Sequence, residues 1–400
     1  MNENWEEKTL DEVCELIKRG IAPKYTEEKG ITVINQKCIR DHKINLLQSR
    51  LHNSELKKVN EERFIKFGDV LINSTGTGTL GRIAQVRAEV LSSCTVDTHV
   101  TIVRPKNELF YMDFFGYALI KIENEIEKAG EGTSGQTELS RTKLQNDFKI
   151  SYPICKIEQK QIVEILDKAF EAIEKAKTNL EKNLKNTKEL FDSKLNEIFS
   201  QKGEGWEEKT LGEVCKTGAG GTPLKSKKEY YENGTIPWLC SGEVKQGNIY
   251  NSTRLISKKG LDNSSAKLFP INTVVIAMYG ATAGDVGILR FETSTNQAVC
   301  GILPNDNFLP EFIYYSFLYR KKELIAQATG NAQPNISQIK IKNTLVPIID
   351  KVFQEKIINE LEDLKEKTKQ LEQKYQQKLD NLEELKKSLL QKAFNGELTN

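Results

Sequence analysis

The sequence predicts an α+β chain: two similar mixed α/β globular domains separated by two long α-helices paired as an antiparallel coiled coil, with a pseudo-two-fold relation overall. Three observations lead there. The segment Trp5-Glu6-Glu7-Lys8-Thr9-Leu10-Asp11-Glu12-Val13-Cys14 returns, 201 residues on, as Trp206-Glu207-Glu208-Lys209-Thr210-Leu211-Gly212-Glu213-Val214-Cys215, with one change. Each copy is followed by short apolar runs set between glycine and proline turns, and then by a long charged stretch of helical periodicity. The apolar positions of the two charged stretches match at an offset of 195. The repeating unit is a domain plus a helix, with boundaries at 1–153, 154–202, 203–347 and 348–400.

Within the first domain, apolar and β-branched runs predict strands at Ile31 to Ile34, Asp69 to Asn73, Arg82 to Val86 and Val100 to Val103, and a helix over Tyr111 to Glu127. Their counterparts are strands at Ile236 to Leu239, Thr273 to Met278, Asp285 to Leu289 and Ala298 to Leu303, and a helix over Glu311 to Ala328. Pro153 and Pro347 punctuate the entries to the long helices. Between these landmarks the two domains diverge strongly.

From Ile157 to Phe199 there is no proline or glycine, and a seam runs through Ile162, Leu166, Ala169, Ile173, Ala176, Leu180, Leu184, Leu190 and Ile198. The second helix repeats it at Ile357, Leu361, Leu364, Thr368, Leu371, Tyr375, Leu379, Leu385 and Ala393, including a shared stutter at Leu180 to Leu184 and Tyr375 to Leu379. A stripe of this period must be buried on another helix, and matching stutters let these two stay in step. A span of about 43 residues at roughly 1.5 Å each is a rod of about 65 Å. Only Gln201 to Gly205 separate the first helix from the second domain, so that domain begins at the far end of the rod.

Fifty-eight basic and 56 acidic residues leave a net charge of +2, so any basic surface must be local. The seven cysteines form no Cys-x-x-Cys pair and lie among apolar residues, the expectation for reduced, mostly buried thiols in a cytoplasmic protein. No apolar run reaches the roughly 18 residues of a membrane span. His42, His52 and His99 show no metal-ligand spacing, and neither a Walker A, an H-E-x-x-H nor a G-x-S-x-G motif occurs. An enzyme built by duplication would repeat its acid-base chemistry, and none is repeated here.

Gly76-Thr77-Gly78-Thr79-Leu80-Gly81 fits the spacing of a dinucleotide cradle, with Asp97 downstream, but strand-like Arg82-Ile83-Ala84-Gln85-Val86 follows where that motif needs a helix N-terminus. A tight strand-to-strand turn is favoured; the alternative is a ligand-facing loop built on that turn, in which Ser74, Thr75 and Thr77, and Tyr279 and Thr282 around Gly280-Ala281-Thr282-Ala283-Gly284, could donate hydrogen bonds. Gly220-Gly221-Thr222-Pro223-Leu224-Lys225-Ser226-Lys227 places Thr222, Lys225 and Lys227 on a turn, and a second polar loop after Trp238 carries Ser241, Glu243 and Lys245. Lysines of this kind position a loop on phosphates, while Ser, Gln and Glu read base edges. The first domain offers a thinner set, Lys24, Gln36, Lys37 and Arg40. Gln136 and Gln333 sit in matching loops at an offset of 197, ahead of Ser140 and Ser337, which are natural helix N-caps. Taken alone, a plain solvated loop is the favoured reading for the lysine-bearing turn, and helix capping by Ser140 and Ser337 for the loops of Gln136 and Gln333; contact with DNA is the sharper alternative in each.

Together these landmarks form a pattern. The Trp-x-x-x-x-Leu-x-x-Val start of each domain, Gly220-Gly221-Thr222-Pro223, Ile236-Pro237-Trp238, Gly280 to Gly284, Thr295-Asn296-Gln297-Ala298, Gln354-Glu355-Lys356-Ile357-Ile358 and the ending Leu390 to Leu398 resemble the specificity subunit of type I restriction-modification systems. The resemblance covers essentially the whole chain. It implies two target-recognition domains, each reading one half of a bipartite double-stranded DNA target. It also implies helices that fix the gap and dock two methyltransferase subunits, and a restriction and translocase subunit as a further partner. No cofactor is implied on this chain: S-adenosylmethionine, ATP and magnesium would belong to partner subunits. In the first domain Gly20-Ile21-Ala22-Pro23 stands for Gly-Gly-Thr-Pro, and Ile31-Thr32-Val33-Ile34 for the Ile-Pro-Trp strand. Two rival readings remain: a coiled-coil scaffold or adaptor with protein-binding end domains, and a dinucleotide-dependent enzyme resting on Gly76 to Gly81 alone.

Overall fold

The computed structural model describes residues 4–87, 94–132, 137–201, 206–244, 247–328 and 335–398. The chain divides into two compact units, Met1–Leu180 with Gln377–Asn400, and Glu181–Gln376. Each unit holds one domain, one part of the first long helix, Lys156–Ser200, and one part of the second, Lys351–Phe394. Among the described residues no helix is long and apolar enough to cross a membrane.

In the first unit a four-stranded sheet runs Cys14–Arg19, Val100–Pro105, Val70–Asn73, Ile83–Gln85, antiparallel throughout. The alternation of its side chains explains why the strands read as unbroken apolar runs. Val70, Ile72 and Val103 face a core shared with the helix Met112–Lys121 and the long helices, while Leu71, Val100 and Ile102 face a second core. A smaller sheet beside it has the order Thr95–Val96, Ile31–Ile34, Arg50–His52, Tyr25–Thr26. The second unit repeats this plan. Its sheet runs Thr217–Ala219, Val299–Ile302, Val274–Ala277, Val286–Leu289, Gly247–Ile249, with Val274 and Ile276 facing one core and Val275 and Ala277 the other. The companion sheet is Leu255–Ile256, Ile236–Leu239, Thr293–Thr295, Leu268–Phe269. The repeated opening segments become a strand and a helical turn, Trp5–Thr9 with Leu10–Val13 and Glu207–Thr210 with Leu211–Val214, joined by capping boxes from Thr9 to Glu12 and Thr210 to Glu213.

One element departs from expectation. The helix expected over Tyr111 to Glu127 is two helices, Met112–Lys121 and Glu123–Lys128, broken at Ile122. The break lets the Glu123 carboxylate accept the Ile83 N–H at 3.0 Å and meet His42 Nε2 at 2.7 Å, which ties the helix to the sheet edge.

The long helices run antiparallel within each unit. In the first, Lys177 pairs with Glu383 at 2.9 Å, and Ile162, Val163 and Leu166 share a core with Leu390, Ala393 and Phe394. In the second, Lys194 pairs with Glu360 at 3.0 Å, and Leu195 and Phe199 share a core with Leu361. Ile162, Leu166, Ile173 and Leu361 are buried, and Leu180, Leu184, Ile357, Leu364 and Leu379 are half-buried. Three expected seam positions are instead exposed: Leu190 (47%), Leu371 (38%) and Leu385 (46%). At the first, Phe191 takes the inward place, 6.2 Å from the Tyr315 ring, and turns Leu190 outward. At the third, Lys386 lays its stem across the Phe170 ring, with the ammonium 5.3 Å from the centroid. Nothing in the structure explains the exposure of Leu371.

Each domain is keyed to its helices by the same hydrogen bonds. Gln159, fully buried, accepts the Tyr111 N–H at 2.7 Å and donates to the carbonyls of Leu109 and Pro153. Gln354, its equivalent 195 residues on, accepts the Leu309 N–H at 2.8 Å and donates to Asn307 and Ile349. The Tyr117 hydroxyl donates to Asp167, and the Tyr315 hydroxyl to Glu362, again at that offset. Phe394 packs on Phe114, and Phe199 on Phe312 and Trp206.

Candidate nucleic-acid interface

Four loops meet at one end of each domain's sheets, held by equivalent bonds. The first is the proline turn. Gly20 N–H donates to Val100 O and Ile21 N–H to Val96 O; Gly220 N–H donates to Val299 O and Gly221 N–H to Thr295 O. Gly20-Ile21-Ala22-Pro23 thus occupies the place of Gly220-Gly221-Thr222-Pro223. A side chain at Gly20 would strike the Val96 and Asp97 carbonyls, and one at Gly220 those of Thr295 and Asn296, so only glycine admits this approach. The second loop is the turn that these strands bring beneath it. Asp97 accepts the His99 N–H at 2.9 Å and Asn296 the Ala298 N–H at 3.2 Å. Burial pushes the Asp97 carboxyl above its usual range, against the pull of the His99 N–H. Thr222 donates to Gln297 of this turn.

The third loop is a single helical turn after the strands Ile31–Ile34 and Ile236–Leu239, covering Gln36–Cys38 and Ser241–Glu243. The fourth is the glycine loop, a strand-to-strand turn in both domains, where Gly81 and Gly284 take φ of 85° and 83°. It is bound to the third loop: Thr79 Oγ1 donates to Gln36 Oε1 at 3.2 Å and Thr282 Oγ1 to Ser241 O at 3.2 Å. It is also bound to the second, through Thr75 Oγ1 and His99 Nδ1 at 2.6 Å.

Of the residues expected here, Lys24, Lys37, Thr77, Lys225 and Lys227 are exposed in or beside these loops. Gln36, Thr75, Thr222, Ser241 and Thr282 are half-buried, and Tyr279 is 38% exposed. Arg40 is exposed on the hairpin Ile39–Arg40 to Lys43–Ile44, whose two turn residues, Asp41 and His42, have φ of 50° and 57°, the type I′ geometry. Ser74 is not on the surface. It is fully buried, and its hydroxyl bonds to Thr101 Oγ1 at 2.5 Å because its strand lies inside the sheet. Glu243 is spent internally: one oxygen accepts the Cys240 N–H at 2.9 Å, the other the Thr253 N–H and hydroxyl at 2.8 Å. Burial raises its carboxyl, but the Thr253 and Cys240 donors outweigh that and hold it below the usual range. Lys245, Gln136 and Gln333 lie outside the described residues. Ser140 and Ser337 cap the helices Arg141–Asn146 and Gln338–Lys342 as expected, accepting the N–H of Lys143 and of Lys340.

The glycine loop offers no helix N-terminus to a pyrophosphate, since Ile83–Gln85 is a strand. Among the described residues no group of His, Cys, Asp or Glu has a metal-binding arrangement. His52, fully buried, accepts the Lys24 N–H at its Nδ1 and donates from Nε2 to Lys57 O at 2.7 Å, which fixes the proline turn to the strand Arg50–His52. What the cluster presents is a surface of ammonium, amide and hydroxyl groups on a glycine-supported frame, suited to phosphates and base edges.

The model of the type I restriction modification DNA specificity domain matches residues 2–182 and 203–381. The specificity subunit of the Escherichia coli type I restriction enzyme EcoR124I/EcoR124II is 30% identical over 209 residues, 51% of this chain and 51% of that one, so the match spans about half of that relative. A Methanocaldococcus jannaschii protein, assigned by name to type I restriction enzyme MjaX as its specificity subunit, is 26% identical over 414 aligned positions, 95% of this chain and 92% of that one. Among solved structures, a chain from a study of complex assembly and conformational transition of the type I R-M system superposes with a TM-score of 0.79 at 20% identity, over 99% of both chains. The HsdS subunit from Thermoanaerobacter tengcongensis does so at 0.63 and 18%, over 99% of this chain and 98% of that one. These two likenesses are of fold.

Proposed function

Because the chain belongs to the family of type I restriction modification DNA specificity domains, matched in both halves, we propose that it is the non-catalytic specificity subunit of a type I restriction-modification complex, each domain reading one half of a bipartite DNA target. The observation that carries this is the four-loop cluster, built twice from the same backbone bonds while its outward side chains differ. A frame repeated with a changed surface is what two different half-sites require. Lys24, Lys37, Arg40, Lys225 and Lys227 are assigned to phosphates, and Gln36, Thr75, Thr77, Thr222, Ser241, Tyr279 and Thr282 to base edges or to holding the loops that reach them. The long helices fix the gap between the half-sites, and their outward leucines, Leu190, Leu371 and Leu385, dock the methyltransferase subunits. Methyl transfer and cleavage reside on partners in the cytoplasm, which carry S-adenosylmethionine, ATP and magnesium. With a net charge of +2 the lone chain binds DNA weakly, and the partners supply much of the phosphate contact.

Exchanging the loops of the second domain, 220–228 and 240–244, for those of a relative tests this in the assembled complex. Sequencing of methylated DNA is expected to show one half of the target changed and the other intact. An unchanged target, or both halves changed together, would count against the assignment.

A further inference from the structure

The two domains share one surface residue that the repeated motifs do not contain. In the first domain Ile31–Ile34 pairs antiparallel with Arg50–His52, Ile31 facing His52 and Val33 facing Arg50. In the second, Ile236–Leu239 pairs with Leu255–Ile256, Ile236 facing Ile256, and the Trp238 N–H donates to Arg254 O at 2.9 Å. Counted from the first residue of the strand, Arg50 and Arg254 hold the same place. Both are exposed, and among the described residues neither is in an ion pair; Arg254 donates from Nη1 to Cys240 Sγ at 3.6 Å and helps to hold the Glu243 carboxyl down from beyond ion-pair distance. Each stands beside the proline turn and an aromatic ring. The Arg50 guanidinium lies 3.4 Å from the centroid of Tyr25, two residues past Pro23. Arg254 lines a cavity of about 390 Å³ with Lys225, two residues past Pro223, and with Tyr231, Trp238 and Leu255.

We propose that Arg50 and Arg254 are matched phosphate contacts, one per domain, that seat each domain on the DNA backbone whatever the base sequence; this rests on the DNA-specificity reading above. The loops around them differ between the domains, as readers of different half-sites must. A residue kept at the same register in both must meet what the half-sites have in common, and that is the phosphodiester backbone. A guanidinium placed over a ring, as at Arg50, or at an aromatic-lined cavity, as at Arg254, and engaged in no ion pair keeps its fork of donors for bidentate contact with phosphate oxygens.

The test uses the full chain assembled with its methyltransferase partners, in wild-type form and as Arg50→Gln, Arg254→Gln and the corresponding lysine variants. Affinity is measured across a salt series on the cognate duplex and on duplexes changed in either half-site. Each glutamine variant is expected to bind roughly tenfold more weakly on every duplex, with the slope of log K against log salt reduced by about 1, and lysine restores most of the loss. The methylated motif stays the same, as does the unfolding temperature. A loss confined to one base position would make the residue a base reader, an unchanged salt slope would remove the phosphate contact, and a lowered unfolding temperature would assign a structural role. Any of these overturns the proposal. Failure of the wild-type complex to prefer its cognate duplex would instead remove the DNA-specificity reading itself.

Discussion

Replacing Arg104 by alanine is expected to destabilise the first unit by about 3–5 kcal/mol, the range for removing one partner of a buried ion pair. The Arg104 guanidinium is bidentate on Asp69, Nε to Oδ1 and Nη2 to Oδ2 at 2.7 Å each, and Nη2 also donates to Phe64 O at 2.8 Å. Asp69 has no exposed surface, and its burial already pushes the carboxyl above the usual range despite Arg104. Without the guanidinium the carboxylate is a buried charge facing only the Lys66 N–H. Calorimetry on the whole chain should show the transition of the first unit lowered. The double change Asp69→Leu with Arg104→Met should recover much of the loss, since it leaves no buried charge behind; Glu15, 3.8 Å from the guanidinium, is half exposed and keeps its water. A cost of Arg104→Ala below about 1 kcal/mol would place the pair at a wet surface rather than inside the sheet.

Gly220→Val is expected to weaken recognition of one half of the target by about a hundredfold, and to cost about 1–3 kcal/mol in stability by overpacking. The added carbons would collide with the carbonyls of Thr295 and Asn296, backbone that cannot withdraw without breaking the bonds from Gly221 and Val299 to that turn. The proline turn would move outward and carry Thr222 and Lys225 with it. Gly20→Val should do the same to the other half. Gly242→Ala is the control for folding: a side chain there meets no other part of the protein, so stability should hold. Equal losses of stability at Gly220 and Gly242 would show that the turn is not held against the sheet as described.

The frame was legible in the sequence where one residue type answers to one physical demand. Central strands such as Val70–Asn73 and Val274–Ala277 read as apolar runs because both of their faces are covered. The seam was legible because a helix has one period, and it misled at Leu190 because Phe191, one position on, had a ring partner in the domain. The loops were found by their glycines, but the role of each polar side chain was not. Glu243 looks like a reader of bases and is a staple, because its donor Thr253 lies across a loop whose path the sequence does not reveal. Ser74 belongs to a buried strand end for the same reason. Gln159 and Gln354 carried a signal, an identical residue at the seam offset, in a place where glutamine reads as solvated helix surface. Arg50 and Arg254 stayed hidden because their spacing from the neighbouring strand differs by a residue, and only the paired strands reveal the common register.

In the proposed function the long helices measure the gap between two independently read half-sites. Inserting seven residues after Leu180 in the first helix and seven after Gln376 in the second keeps the seam in phase and adds about 10 Å to the rod, close to three base pairs of duplex. Sequencing of DNA methylated by the complex carrying this variant should show both half-sites unchanged and the gap between them longer by about three base pairs. An unchanged gap, or a changed half-site, would contradict it.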